Sequence, residues 1–137
     1  MQTARPPFEP IDVLRGLADA ISDVVVVLDG DGRYLDVLSR HGELLVRPAE
    51  ELLGRTVHDF FPAHTAELFV RWIRQALGSG RTVEDEYETE IGGRRVWFAA
   101  IVAPLASDRV IWVARDITER KSLEAQLRQA AKMEAIG

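Results

Sequence analysis

The amino-acid sequence predicts an α+β domain: a five-stranded antiparallel sheet with helices on one face, flanked by an N-terminal and a C-terminal helix. Three observations carry the prediction. The apolar period changes from helical to alternating after Arg81, and back to helical after Asp116. The Gly92-Gly93 pair sits between two alternating runs, as in a two-residue hairpin. Proline-opened helical segments fill the stretch between an early pair of strands and a later trio.

The elements follow in order. Residues 1–9 read as a loose lead-in containing prolines. Pro10 suits a first helical position, and Ile11, Leu14, Leu17, Ala18 and Ile21 recur at helical spacing, giving a short capping helix. Val24–Leu28 is β-branched and ends in the turn signal "DGDG", so a second strand over Arg33–Ser39 closes a hairpin. "PAEELLG" starts at Pro48 and stops at Gly54, as a short helix would. Pro62 opens a longer helix whose stripe is Leu68, Phe69, Trp72, Ile73, Ala76 and Leu77, with Gly78 as its predicted stop.

Pairing Ile91 with Arg94 across the glycine turn sets the register of the next hairpin. Thr89 then faces Val96, Tyr87 faces Phe98 and Asp85 faces Ala100, on the mostly apolar side. Glu84, Glu86, Glu88 and Glu90 occupy the other side with Trp97 and Ile101, and large apolar groups there call for a cover. A last strand runs over Val110–Asp116. Asp116 and Glu119 make a D-x-x-E capping box, so a helix is expected to start at the strand end. Its apolar stripe, Leu123, Leu127 and Ala130, is narrow. The stripe by itself fits equally a seam between two helices and a helix folded back on its own sheet.

Bulk properties bound the function. The 137 residues suit one domain, and the net charge of −5, with both signs interspersed, argues against a nucleic-acid surface. Without cysteine there is no disulfide, thiol catalysis or thiolate metal site. No apolar run approaches the roughly 20 residues that span a bilayer, and the start lacks a secretion signal. A cytoplasmic protein, or a soluble piece of a larger one, is expected. No enzyme constellation appears: Ser39, Ser79 and Ser107 lack a nucleophile-elbow context, and "GDG" and "GSG" lack a phosphate-loop pattern.

The element order, with "ELLGRTVHDFFP" in the middle and "RDITERK" after the last strand, resembles the PAS sensor-domain family over residues 11–121. The final "KMEAIG" resembles the entry to the dimerisation helix of histidine kinases. The resemblance implies a PAS domain over residues 10–117 and a signalling helix over 118–137 that leads to a kinase. It implies a regulatory rather than catalytic chain, homodimeric through its N- and C-terminal helices. It implies a cavity between sheet and helices, lined by Val26, Leu28, Phe60, Phe69, Trp72, Ile73, Tyr87, Phe98, Ala100 and Trp112 and open to a small apolar ligand. Tyr87 and Phe98 also follow from the hairpin register. Asp116, Thr118 and Glu119 would relay the signal, and Leu123, Leu127 and Ala130 would form the dimer seam.

No cofactor is expected. The position at which photosensing members attach flavin through cysteine is Val57, and the position of a haem-ligating histidine is Phe69. His58 and His64 read as surface or capping residues, His41 lies in a polar loop, and no two have metal-site spacing on one element. Two other readings stay open: a ligand-free PAS dimerisation spacer, and a small α+β enzyme using Asp85 and Tyr87.

Overall fold

The computed structural model describes residues 23–39 and 42–136. The predicted lead-in, the helix predicted from Pro10 to Ile21, and His41 lie outside the described residues. The rest is a five-stranded antiparallel sheet with helices on its inner face. Strand β1 (Val24–Asp29) pairs with β2 (Tyr34–Val37), and β3 (Val83–Ile91), β4 (Arg94–Ala106) and β5 (Arg109–Asp116) follow as a meander. The order across the sheet is β2-β1-β5-β4-β3, so β1 and β5 join the two units, Val26 opposite Trp112.

The β1–β2 turn is held by one carboxylate. Asp29 Oδ1 accepts the backbone N–H groups of Asp31 and Arg33, each at 2.9 Å. Gly32 sits in this turn with φ +81°, and a Cβ there would lie 2.8 Å from Val57 Cγ2 and 3.2 Å from Val70 Cγ2. The turn therefore lies flush against the helical layer only because it carries no side chain. Gly92 and Gly93 both take positive φ, the type I′ geometry that matches strand twist. The register from Ile91↔Arg94 to Val83↔Val102 is the predicted one.

The helical layer contains α1 (Ala49–Leu52), a 3₁₀ turn (Val57–Asp59) and α2 (Ala63–Ser79). Thr56 and Asp59 form a reciprocal capping box on the 3₁₀ turn, the Thr56 N–H donating to Asp59 Oδ2 at 3.0 Å. Helix α2 buries Ala66, Phe69, Trp72, Ile73 and Ala76 against the sheet. Each large side chain there contributes about 1.5–3 kcal/mol by burial. The helix runs past Gly78, its predicted stop, and ends at Gly80. Gly80 adopts the left-handed conformation (φ +69°) and returns its N–H to the Ala76 carbonyl.

The main core lies between this layer and the inner sheet face, where Val26, Leu28, Val96, Phe98, Val102, Val110 and Trp112 alternate inward. A second cluster, Val25, Val27 and Leu38 with Ile111 and Val113, occupies the outer face. The chain leaves the sheet as α3 (Thr118–Ile136).

Candidate functional site

A cavity of about 40 Å³ lies between the inner sheet face and the helical layer. That is well below the roughly 300–1,000 Å³ of sites for drug-sized ligands. Aromatic packing explains the small volume. The Phe69 ring contacts Phe61, Tyr87 and Trp112 at centroid distances of 5.0, 4.8 and 4.9 Å, and Tyr87 stacks on Phe98 at 5.3 Å. Edge-to-face and offset contacts of this kind add about 0.5–1.5 kcal/mol each beyond simple burial.

The structure brings Val26, Leu28, Phe69, Tyr87, Phe98 and Trp112 to the cavity wall. Trp72, Ile73 and Ala100 are buried in the same core without lining the cavity. Phe60 is half-buried outside it, edge-on to Tyr34 and beneath the Arg55 guanidinium. Phe61 lines the cavity instead, because the 3₁₀ turn sets which of the two rings points inward.

Sequence reasoning missed other parts of the wall. Thr89 and Ile91 share Tyr87's strand parity, so the predicted register already contained them. Tyr34 faces Leu28 across the β1–β2 pair. Leu44, Leu45 and Val46 come from a loop without period, and only their apolar run signals burial. Val57 lines the cavity with a buried isopropyl group.

Few polar groups reach this interior. The Tyr87 and Trp112 rings lie 6.0 Å apart, centroid to centroid, and burial pushes the Tyr87 phenol far above its ordinary range against a smaller opposing effect of Trp112. Burial raises the Tyr34 phenol too, with a smaller contribution from the nearby Tyr87. Asp85 does not join them. It is exposed, and its carboxylate accepts the Glu86 N–H at 2.7 Å. The pair required by the enzyme reading is therefore not assembled. His58 and His64 are exposed, and among the described residues no group of three or more His, Asp or Glu is placed to hold a metal ion.

The second functional region is the junction between β5 and α3. The Asp116 N–H donates to Asp23 Oδ2 at 2.8 Å, tying the strand end to the start of β1. Asp116 Oδ1 accepts the Thr118 N–H at 2.9 Å and its hydroxyl at 2.5 Å. Thr118 Oγ1 in turn accepts the Trp97 N–H at 3.0 Å, and the Ile117 N–H donates to the Trp97 carbonyl at 2.8 Å. The predicted Asp116–Glu119 box is not the cap that forms. The strand runs through Asp116, the helix begins at Thr118, and the carboxylate reaches only that first residue, while Glu119 is exposed.

A set of charges fixes the base of α3 to the outer sheet face. Glu86 receives Arg120 Nη2 at 2.6 Å and Lys121 Nζ at 2.5 Å. The Lys121 ammonium also lies 4.9 Å from the centroid of the Trp97 ring. The Lys121 hydrogen bond, with the charges of Lys121 and Arg120, holds the Glu86 carboxyl below its ordinary value against a smaller opposing effect of burial. Beyond this base, Leu123, Leu127 and Met133 are 51%, 71% and 65% exposed, and Ala130 is exposed as well. The stripe is not folded back on its own sheet. Among the described residues, no helix is long and apolar enough to cross a membrane.

Comparison with known proteins identifies this architecture. The PAS domain of Bordetella pertussis BvgS is 18% identical, with a TM-score of 0.63 over 90% of this chain and 97% of that one. A sensory-box sensor histidine kinase from Vibrio cholerae is 19% identical, with a TM-score of 0.57 over 77% and 90% of the two chains. The PAS domain of the Cronobacter turicensis quorum-sensing receptor RpfR, solved in complex with BDSF, is 20% identical, with a TM-score of 0.60 over 72% and 99%. The family described as PAS fold matches residues 18–122. With that match over most of its length, and with the sheet order and helical layer described above, the chain belongs to the PAS-fold family of sensory domains.

Proposed function

We propose that this chain is a cytoplasmic regulatory module that reports the state of its PAS interior through a pair of α3 helices to an output domain, a histidine kinase being the best candidate. One observation carries the reading. Helix α3 is anchored at its base by Asp116, Thr118 and Glu86, yet its apolar stripe is bare. A rigidly held helix with an unpartnered seam suits pairing with a second copy, Leu123 on Leu123 and Leu127 on Leu127. The likeness of "KMEAIG" to a kinase dimerisation helix, and the likeness of the fold to a Vibrio cholerae sensor kinase, support that output. The BDSF complex of the Cronobacter neighbour supports a ligand as the input. No resident cofactor is needed by this mechanism.

Leu127→Lys tests it. The wild-type chain is expected to run as a dimer by light scattering, and the variant as a monomer with an unchanged far-UV spectrum. A wild type that stays monomeric at all accessible concentrations would sink the proposal. The small cavity favours a second reading, a ligand-free dimerisation spacer. Native mass spectrometry separates the two: retained mass above the protein's own supports the sensor, and none supports the spacer.

A further inference from the structure

We propose that the cavity selects small uncharged molecules bearing an acceptor oxygen, and that it rejects ions of the same shape. The inference rests on the cavity being the sensed site. Its wall is hydrocarbon and aromatic apart from Tyr34, Tyr87 and Thr89, and among the described residues no charged side chain lines it. A carboxylate or ammonium inside would lose its hydration with no counter-charge to replace it. The wall is not inert, however. Tyr34 and Tyr87 both line it, and each phenol carries an O–H donor. Phenols are protonated at neutral pH, and burial raises both of these further, so both keep the donor proton. Two phenol donors above an apolar floor suit a carbonyl or alcohol oxygen on a short hydrocarbon.

The volume sets the size. One water needs roughly 10–15 Å³ of such space. The cavity of about 40 Å³ therefore holds a guest of about four non-hydrogen atoms. Longer chains would have to displace Phe69 or the Leu44–Val46 loop, both of which form the wall.

Matched pairs of probes test the proposal on the full chain. Acetone and acetate share one shape and differ in charge, as do propan-2-ol and isopropylammonium. In ¹⁵N-labelled protein the Trp112 indole N–H reports the cavity, and Trp97 on the outer face serves as an internal control. Acetone and propan-2-ol are expected to shift the Trp112 signal saturably and leave Trp97 in place. Acetate and isopropylammonium are expected to bind at least about tenfold more weakly. Tyr34→Phe should weaken acetone binding by about two- to tenfold, the cost of one hydrogen bond. Ions binding as tightly as their neutral partners would overturn the charge selection. Acetone affinity unchanged from wild type in both Tyr34→Phe and Tyr87→Phe would overturn the role of the phenols. Saturation by none of the four would overturn the proposal while leaving the helix-pair reading, measured through Leu127→Lys, untouched.

Discussion

Single atoms decide several features of this domain. At Gly32, a methyl group would have to share space with Val57 and Val70 while the backbone holds a positive φ. Gly32→Ala should therefore lower stability by about 2–4 kcal/mol, read from urea unfolding, since overpacking and left-handed strain add. Phe60 and Phe61 show the same sensitivity in another form. They are adjacent, aromatic and indistinguishable by composition, yet only Phe61 reaches the cavity. Hydrophobic pattern cannot separate them, because the deciding information is the tight 3₁₀ turn ending at Asp59, which has too few residues to show a period. Tyr87 and Phe98 were legible for the opposite reason: a two-glycine turn permits one register, and register sets the face of every residue on both strands.

At the scale of elements, the outcome depends on how each one ends. Helix α2 stops where the backbone turns left-handed, at Gly80, and composition could not choose between Gly78 and Gly80. The start of α3 was legible to within a residue or two from "DIT" and the charged run after it, although the cap bonds are those of Asp116 with Thr118. What sequence alone could not show is Glu86, which lies far from α3 in the chain and reaches it only through the sheet. Because its folded-state pKa is depressed, the stabilising effect of Glu86 on the helix base is complete above the ordinary glutamate value of 4.5. It fades as pH falls below that value and through the lower folded-state pKa. Glu86→Gln should speed amide exchange over residues 118–124 near neutral pH, and the difference from wild type should shrink as the medium is acidified through this window. Identical exchange at neutral pH would show that the ion pairs do not hold the helix. Both pairs are partly exposed, so raised salt should also narrow the gap.

Across the whole molecule, the two hairpin units were legible separately, and their union at β1–β5 was not. That pairing brings together residues far apart in sequence, and no local pattern specifies it. The cavity was legible as a location but not as a volume, since the final space depends on how the six lining rings settle against one another. A volume of about 40 Å³ leaves room for one added methylene group. Val26→Ile, from the middle of β1, should leave stability level or raise it by up to about 1 kcal/mol, and should abolish the acetone-induced shift. A thermal melt and the same titration check both outcomes. The alternating strand also has a mechanical consequence. Glu86 and Tyr87 are successive residues of β3, one gripping the helix outside and the other roofing the cavity inside. A guest that shifted the β3 backbone at Tyr87 would move the peptide that joins it to Glu86, and the disturbance would then reach the helix base across one amide link.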